Sequence, residues 1–171
     1  MNGETLYVDA SAAVKLYVEE PGSDEAFAAI GDAGALVASR VLYTEVGAAI
    51  PRRLTANHAA VALTAWERLW TDFDVVEVDA HIATHALSLA QYHGLGTLDA
   101  IHLASALRVP AAPMRFATWD KTLAEAAHAV GLRTIPDLGR DPRRVPTPEE
   151  AAIVAVADAE ADLPALARQS P

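Results

Sequence analysis

Four acids stand where elements of the chain change over: Asp9 in LYVDASAAVKLY, Glu45 in LYTEVGAAI, Asp99 in LGTLDAIHL and Asp120 in FATWDKTL. Two carboxylates ~4 Å apart repel by ~4 kcal/mol at an effective dielectric near 20. Four gathered in one pocket cannot all stay ionised without protons or a cation. No Lys or Arg lies within two positions of Asp9, Glu45 or Asp99, and only Lys121 adjoins Asp120. With Cys 0 there is no thiolate, so the donors on offer are oxygens. Oxygen donors favour a hard divalent ion, Mg²⁺ or Mn²⁺ in its place. Such an ion keeps several waters and takes phosphate as its natural further ligand. It can orient and acidify a water and offset the charge that grows on a phosphodiester. The chemistry this suggests is hydrolytic phosphoryl transfer with no covalent enzyme intermediate.

Each acid also has a structural role open to it. Asp99 and Asp120 fit N-cap or first-turn positions, where an acid contributes ~1 kcal/mol by accepting backbone N–H bonds. Glu45 fits a first-turn acid on a solvated helix face. Asp9 is harder to explain in this way, because Ser11 can cap the helix that follows without a buried charge.

The elements that must position these acids are short apolar runs alternating with longer helical patterns. Strands are expected at TLYVD (5–9), ALVAS (35–39), DVVEV (74–78), RFAT (115–118) and LRTI (132–135). Apolar residues recur at helical spacing over 11–18, 24–31, 43–55, 58–71, 80–92, 98–108 and 121–130. Strand–helix alternation predicts an α/β fold, a mainly parallel central sheet between helix layers. In such sheets, ligand sites gather beyond the carboxyl ends of strands, where the winding reverses. Asp9 and Asp120 follow strands, and Glu45 and Asp99 lie near helix starts, so all four can lean into one cleft. After Pro136 the texture changes. Residues 1–136 are expected to form the folded domain, and 137–171 a Pro-rich, charged tail with a short helix interrupted at Pro164.

Of the 171 residues, 52% are hydrophobic, enough for one core and against wholesale disorder. No apolar run approaches the ~20 residues that cross a bilayer, and no secretion signal is visible. The expectation is a cytoplasmic protein with no membrane association. A net charge of −10 argues against a broad, nonspecific nucleic-acid binder, although a local basic rim can still hold a polyanion.

The segments LYVDASAAVKLYVEEPGS, LVASRVLYTEVGAAIPRR, GLGTLDAIHLASAL and FATWDKTLAEAAHAVGL together resemble PIN-domain ribonucleases, above all the toxin subunits of VapBC-type toxin–antitoxin pairs. The resemblance spans residues 6 to about 135 and implies a three-layer α/β/α sandwich. It further implies a Mg²⁺- or Mn²⁺-dependent endoribonuclease with a cognate antitoxin protein and a homodimeric contact. The family's catalytic and metal-binding acids fall on Asp9, Glu45, Asp99 and Asp120. Its supporting hydroxyl residues fall on Ser11 and Thr118, for which a plain N-cap and a strand-end Thr are the local alternatives.

For an RNA backbone, Arg52 and Arg53 are the leading contacts, with Lys15, Arg40 and Arg115 as further rim candidates. The helix macrodipole alone also accounts for Arg52 and Arg53 at a helix C-terminus. His102, one turn after Asp99, is read as a packed core residue or an aid to proton transfer. His81, His85 and His93 are read as lacking a ligand partner. Trp66, Trp70 and Trp119 are read as core or interface rather than base-stacking. The apolar helices between 43 and 71 suggest a place for an antitoxin helix or a second copy.

Three other readings remain open on the residues alone. A haloacid-dehalogenase-like phosphatase also ends its first strand on an acid, but needs a second Asp where Ser11 stands. A receiver domain needs an acid pair near the first strand, which is missing, although Asp79 follows the third. A catalytically weak PIN-like protein that binds RNA or a partner is the last.

Overall fold

A computed structural model describes residues 4–110, 113–137 and 147–148. The helix expected within the tail lies outside the described residues. Five strands form one sheet in the order β3-β2-β1-β4-β5: β1 (Thr5–Val8), β2 (Ala35–Ser39), β3 (Phe73–Val76), β4 (Met114–Ala117) and β5 (Arg133–Ile135). Every pairing is parallel; Leu6 registers with Leu36 on one side and with Arg115 on the other. The helices are α1 (Ala10–Val14), α2 (Ser23–Gly31), α3 (Val41–Arg53), α4 (Ala56–Trp70), α5 (Ala80–His93), α6 (Thr97–Leu107) and α7 (Lys121–Ala129).

Period-two alternation along β1 divides the core. Leu6 and Val8 face one side and pack with α1, α3 and α4 around Leu42, Val46, Ile50 and Trp66. Tyr7 faces the other and packs with α5, α6 and α7 around Leu89, Leu103, Phe116 and Leu123. Strands buried on both faces read as continuous apolar runs, as LYV and ALVA do. The result is the expected three-layer α/β/α sandwich. Trp66 is 1% exposed, so it belongs to the core.

From β1 the chain winds through β2 to β3, then crosses back to place β4 and β5 on the other side of β1. The winding therefore reverses between β1 and β4, and the crevice beyond their carboxyl ends is the place where open parallel sheets hold ligands. Asp9 and Asp120 border it.

Two helices differ from the sequence reading in ways that matter. α1 does not continue to residue 18: after Val14, the amides of Lys15, Leu16 and Tyr17 bond three residues back, to Ala12, Ala13 and Val14. This tightening leads the chain into the Glu20–Pro21–Gly22 turn. α3 starts at Val41 rather than 43, which puts Glu45 in its second turn, not its first. The cap of α1 is also reassigned. Asp9, not Ser11, is the N-cap, accepting from the Ala12 N–H at 2.9 Å.

Candidate active site

Asp9 is 3% exposed at the end of β1. Besides the Ala12 N–H, its carboxylate accepts the Ser11 hydroxyl (2.8 Å to Oδ1) and the Thr118 hydroxyl (2.8 Å to Oδ2). Each hydroxyl has a second bond. Ser11 Oγ accepts the Trp119 N–H at 2.7 Å, and Thr118 Oγ1 accepts the Asp120 N–H at 3.1 Å. The two side chains thus fasten the start of α1 to the β4–α7 turn. Asp120 caps α7 by accepting the Leu123 N–H at 2.9 Å. Its capping role and its position at the crevice coexist.

Asp9, Glu45, Asp99 and Asp120 all line one open cavity of about 680 Å³, together with Ser11, His102, Arg52 and Arg53. Sheet topology brings Asp9 and Asp120 there, while α3 and α6 deliver Glu45 and Asp99 from opposite helix layers. Burial pushes the Asp9 carboxyl above its ordinary range, against the lowering influence of His102 and of its hydrogen bonds. Asp99 is also pushed up, first by burial and then by the charges of Asp120 and Asp9, with Glu45 adding to it. That mutual repulsion is the electrostatic signature of a site that gains from a cation.

No group of three or more His, Asp or Glu side chains among the described residues is already drawn together as a metal cage. An all-oxygen, half-open set is nonetheless what Mg²⁺ suits, because that ion binds through one or two carboxylates and retains several waters. His81 and His85, one turn apart on α5, gather no third ligand among the described residues.

The basic residues separate clearly. Arg52 and Arg53 lie at the cavity, and Arg53 pairs with Glu20 at 3.3 Å. Lys15 does not form part of an open rim. It is buried, its Nζ donates to Glu20 Oε1 and the Pro21 carbonyl, both at 2.8 Å, and it lies 5.4 Å from the Trp119 ring centre. A buried ammonium already satisfied by the protein cannot also serve a phosphate, which corrects the sequence expectation. Arg40 pairs with Glu77, and Arg115 pairs with Glu4 at 2.7 Å near the amino end of the sheet. Neither lines the cavity.

Glu20 was not singled out in the sequence. It bridges Lys15 and Arg53 and borders the cavity. The turn itself is sterically fixed. Gly22 has φ +91°, and a Cβ there would lie 2.2 Å from Trp119 Nε1. Gly22→Ala is therefore expected to cost more than ~1 kcal/mol and to shift Trp119, the residue before Asp120. Chemical denaturation checks the first effect and Trp fluorescence the second; a wild-type result in both would show the turn to be compliant.

A single sheet with winding reversal at β1/β4, and four acids from four elements around it, defines a PIN-type α/β/α architecture. The sequence matches the PIN domain family over residues 6–129. It is 41% identical over 136 residues to Ribonuclease VapC45 of Mycobacterium tuberculosis, which covers 77% of this chain and 94% of that protein. The chain belongs to the PIN-domain family and, within it, to the VapC-type ribonucleases. Solved structures share the fold. FitAcB from Neisseria gonorrhoeae has a TM-score of 0.60 at 16% identity, over 75% of this chain and 95% of that one. A toxin–antitoxin complex from Klebsiella pneumoniae has a TM-score of 0.53 at 16% identity, over 68% and 87%. Against the phosphatase alternative, position 11 is a Ser whose hydroxyl is committed to Asp9. Against the receiver alternative, Asp79 is an N-cap bonded to the Ile82 N–H.

Proposed function

We propose that the protein is the endoribonuclease toxin of a toxin–antitoxin pair and hydrolyses RNA phosphodiesters with the help of Mg²⁺, or Mn²⁺ in its place. The observation that carries this reading is the meeting of Asp9, Glu45, Asp99 and Asp120 at one cavity, with Asp99 destabilised as an anion first by burial and then by the charges of the other three. These four side chains would surround the ion, one or two of them binding it directly and the others through its waters. When bound, it supplies charge neutralisation and an acidified water.

The chain's own residues account for the remaining tasks. Ser11 and Thr118 hold the Asp9 carboxylate and the Asp120 turn in one arrangement, so little reorganisation is needed when RNA arrives. Arg52 lies two helical turns beyond Glu45 on α3, about 10 Å along the axis at 1.5 Å per residue. An arginine there suits a backbone phosphate flanking the one that is cut, and Arg53 can exchange its Glu20 partner for phosphate. Small side chains, Ala48 and Ala49, leave the wall between them open. This local pair reconciles an acidic chain with a polyanionic substrate, since phosphate contacts supply most sequence-independent affinity.

The homology to VapC ribonucleases extends the reading to a cognate antitoxin protein. Exposed Val61 on α4 and Tyr43 on α3 give that partner, or a second copy in a homodimer, apolar side chains to cover. Among the described residues no helix is long and apolar enough to cross a membrane.

The test is cleavage of structured RNA by protein purified free of antitoxin. Cleavage is expected with Mg²⁺ or Mn²⁺ and none with EDTA. With metal saturating, Arg52→Gln/Arg53→Gln is expected to lower kcat/KM by about tenfold and to flatten its salt dependence. Undiminished cleavage in EDTA would overturn the metal-assisted mechanism.

A further inference from the structure

His102 is 1% exposed, yet neither of its ring nitrogens is in an apolar setting. Nε2 lies 2.8 Å from Glu45 Oε2, and Nδ1 lies 3.2 Å from the Tyr7 hydroxyl. Tyr7 is itself wholly buried, stacked on Phe116 with ring centres 5.0 Å apart, and its hydroxyl oxygen accepts the Ser39 N–H at 3.0 Å. One consistent proton arrangement satisfies every member. The Ser39 amide donates to Tyr7, the Tyr7 hydroxyl donates to His102 Nδ1, and His102 Nε2–H donates to the Glu45 carboxylate. Burial holds the Tyr7 phenol far above its ordinary pKa, so the proton this arrangement needs stays on the oxygen.

The connectivity is what sets this apart from a satisfied core histidine. Glu45 belongs to α3, in the layer packed on Leu6 and Val8, while His102 belongs to α6, in the layer packed on Tyr7. The His102–Glu45 bond thus spans the two helix layers across the carboxyl end of the sheet. On α6, His102 stands one turn from Asp99, so the same helix carries one acid and the anchor of another. Glu45 is 19% exposed at its side chain and has a long, flexible stem, and His102 is the hydrogen-bond partner observed for it. Without that partner its carboxylate is free to turn into solvent.

We infer that Tyr7 and His102 form an internal hydrogen-bonded column, rooted in the β2 backbone, that positions the Glu45 carboxylate relative to Asp99. His102 is in this sense a positioning residue. The inference deepens the nuclease reading and rests on it, because its consequence is a pre-set pair of acids for the ion. Partners that orient a ligand carboxylate typically change metal affinity by 10–100-fold when removed.

Two measurements test it. The first is Mn²⁺ binding by electron paramagnetic resonance, with circular dichroism as a check on folding. His102→Phe keeps the ring volume without the bonds and is expected to weaken Mn²⁺ binding by about 10–100-fold. His102→Gln, which can still donate to Glu45, is expected to recover at least half of that loss on a logarithmic scale. In a Glu45→Gln background, His102→Phe is expected to change affinity less than twofold, since the carboxylate it positions is gone. The second is long-range ¹H–¹⁵N NMR of the metal-free protein. It should show His102 protonated at Nε2 and accepting at Nδ1, with Tyr7→Phe disturbing Nδ1 and Glu45→Gln disturbing Nε2.

With Mn²⁺ bound by the wild type, unchanged affinity in His102→Phe overturns the inference and leaves the nuclease reading standing. An equal loss in the Glu45→Gln background overturns it too, as does a His102 proton at Nδ1. A wild-type protein that binds no Mn²⁺ removes the metal reading and this inference together. If His102→Phe does not fold, the Gln variant in both backgrounds and the wild-type NMR spectrum decide.

Discussion

Replacing Asp9 with Asn is expected to lower metal-supported RNA cleavage by at least ~10²-fold in kcat/KM while leaving the fold intact. The substitution keeps the side chain's size and an oxygen for the Ala12 N–H, and Asn caps a helix about as well as Asp. What it removes is one full charge, and it turns one of two acceptors toward Ser11 and Thr118 into a donor. Asp99→Asn is expected to give a loss of the same order for a simpler reason. Asp99 adds a charge to the cavity that Asp120, Asp9 and Glu45 also line, and an amide adds none. Turnover of RNA at saturating Mn²⁺, measured on variants with native circular dichroism, checks both. Full activity in either variant would remove that acid from the reaction centre.

The metal-free protein is expected to be more stable in mild acid than at neutral pH, and Asp99→Asn to reverse part of that difference. Asp9 and Asp99 both have carboxyl pKa values raised in the folded state, chiefly by burial. The folded chain therefore binds protons at these sites more readily than the unfolded chain does. Their favourable contribution is complete below the ordinary carboxylate range near 4, and is lost as pH rises through the raised folded values. As pH rises and the two ionise, their charges repel. Asp99→Asn relieves one partner, so at pH 7 in EDTA its Tm should exceed the wild type's by about 2–4 °C, with the half-buried position limiting the gain. The gap should close as pH falls toward 4.

Divalent metal should stabilise the two proteins unequally. An ion at 100 times its Kd stabilises the wild type by ~2.7 kcal/mol, and the variant, lacking one acid, should gain much less. Differential scanning fluorimetry across pH, with EDTA or Mn²⁺, reads both effects. A wild-type Tm that rises steadily from pH 4 to 7 in EDTA would contradict the electrostatic account of the site.

The two results are linked through one feature of the fold. Asp9 is buried at the point where the sheet reverses its winding, so its charge is costly, and it persists because three hydrogen-bond donors offset part of that cost. If Asp9 serves the reaction as proposed, a carboxylate in this position lowers the stability of the metal-free chain in return for a pre-set site.

Local sequence was sufficient for the order of the elements and for which of them the acids fall on or beside. ALVAS was read as a strand over 35–39 and spans β2, because apolar β-formers bounded by Gly34 and Arg40 report on neighbours a few residues away. Asp120 was legible as an N-cap for the same reason. The end of α1 was not, since it is set by Lys15 finding Glu20 and the Pro21 carbonyl rather than by periodicity. Nor was the start of α3, and so the turn on which Glu45 sits.

By itself, then, the sequence determined the order of strands and helices and the acids they carry, because both depend on chemistry within one or two turns. Which groups meet was decided only by the tertiary structure. Lys15 changed from a rim cation to a buried tether, and His102 from an apolar-helix histidine to the partner of Glu45, 57 residues away in sequence. Tyr7, an alternating apolar position in β1, became the other support of that histidine across 95 residues. Such contacts arise where two helix layers close over the end of a sheet, and local periodicity carries no record of what lies in the opposite layer.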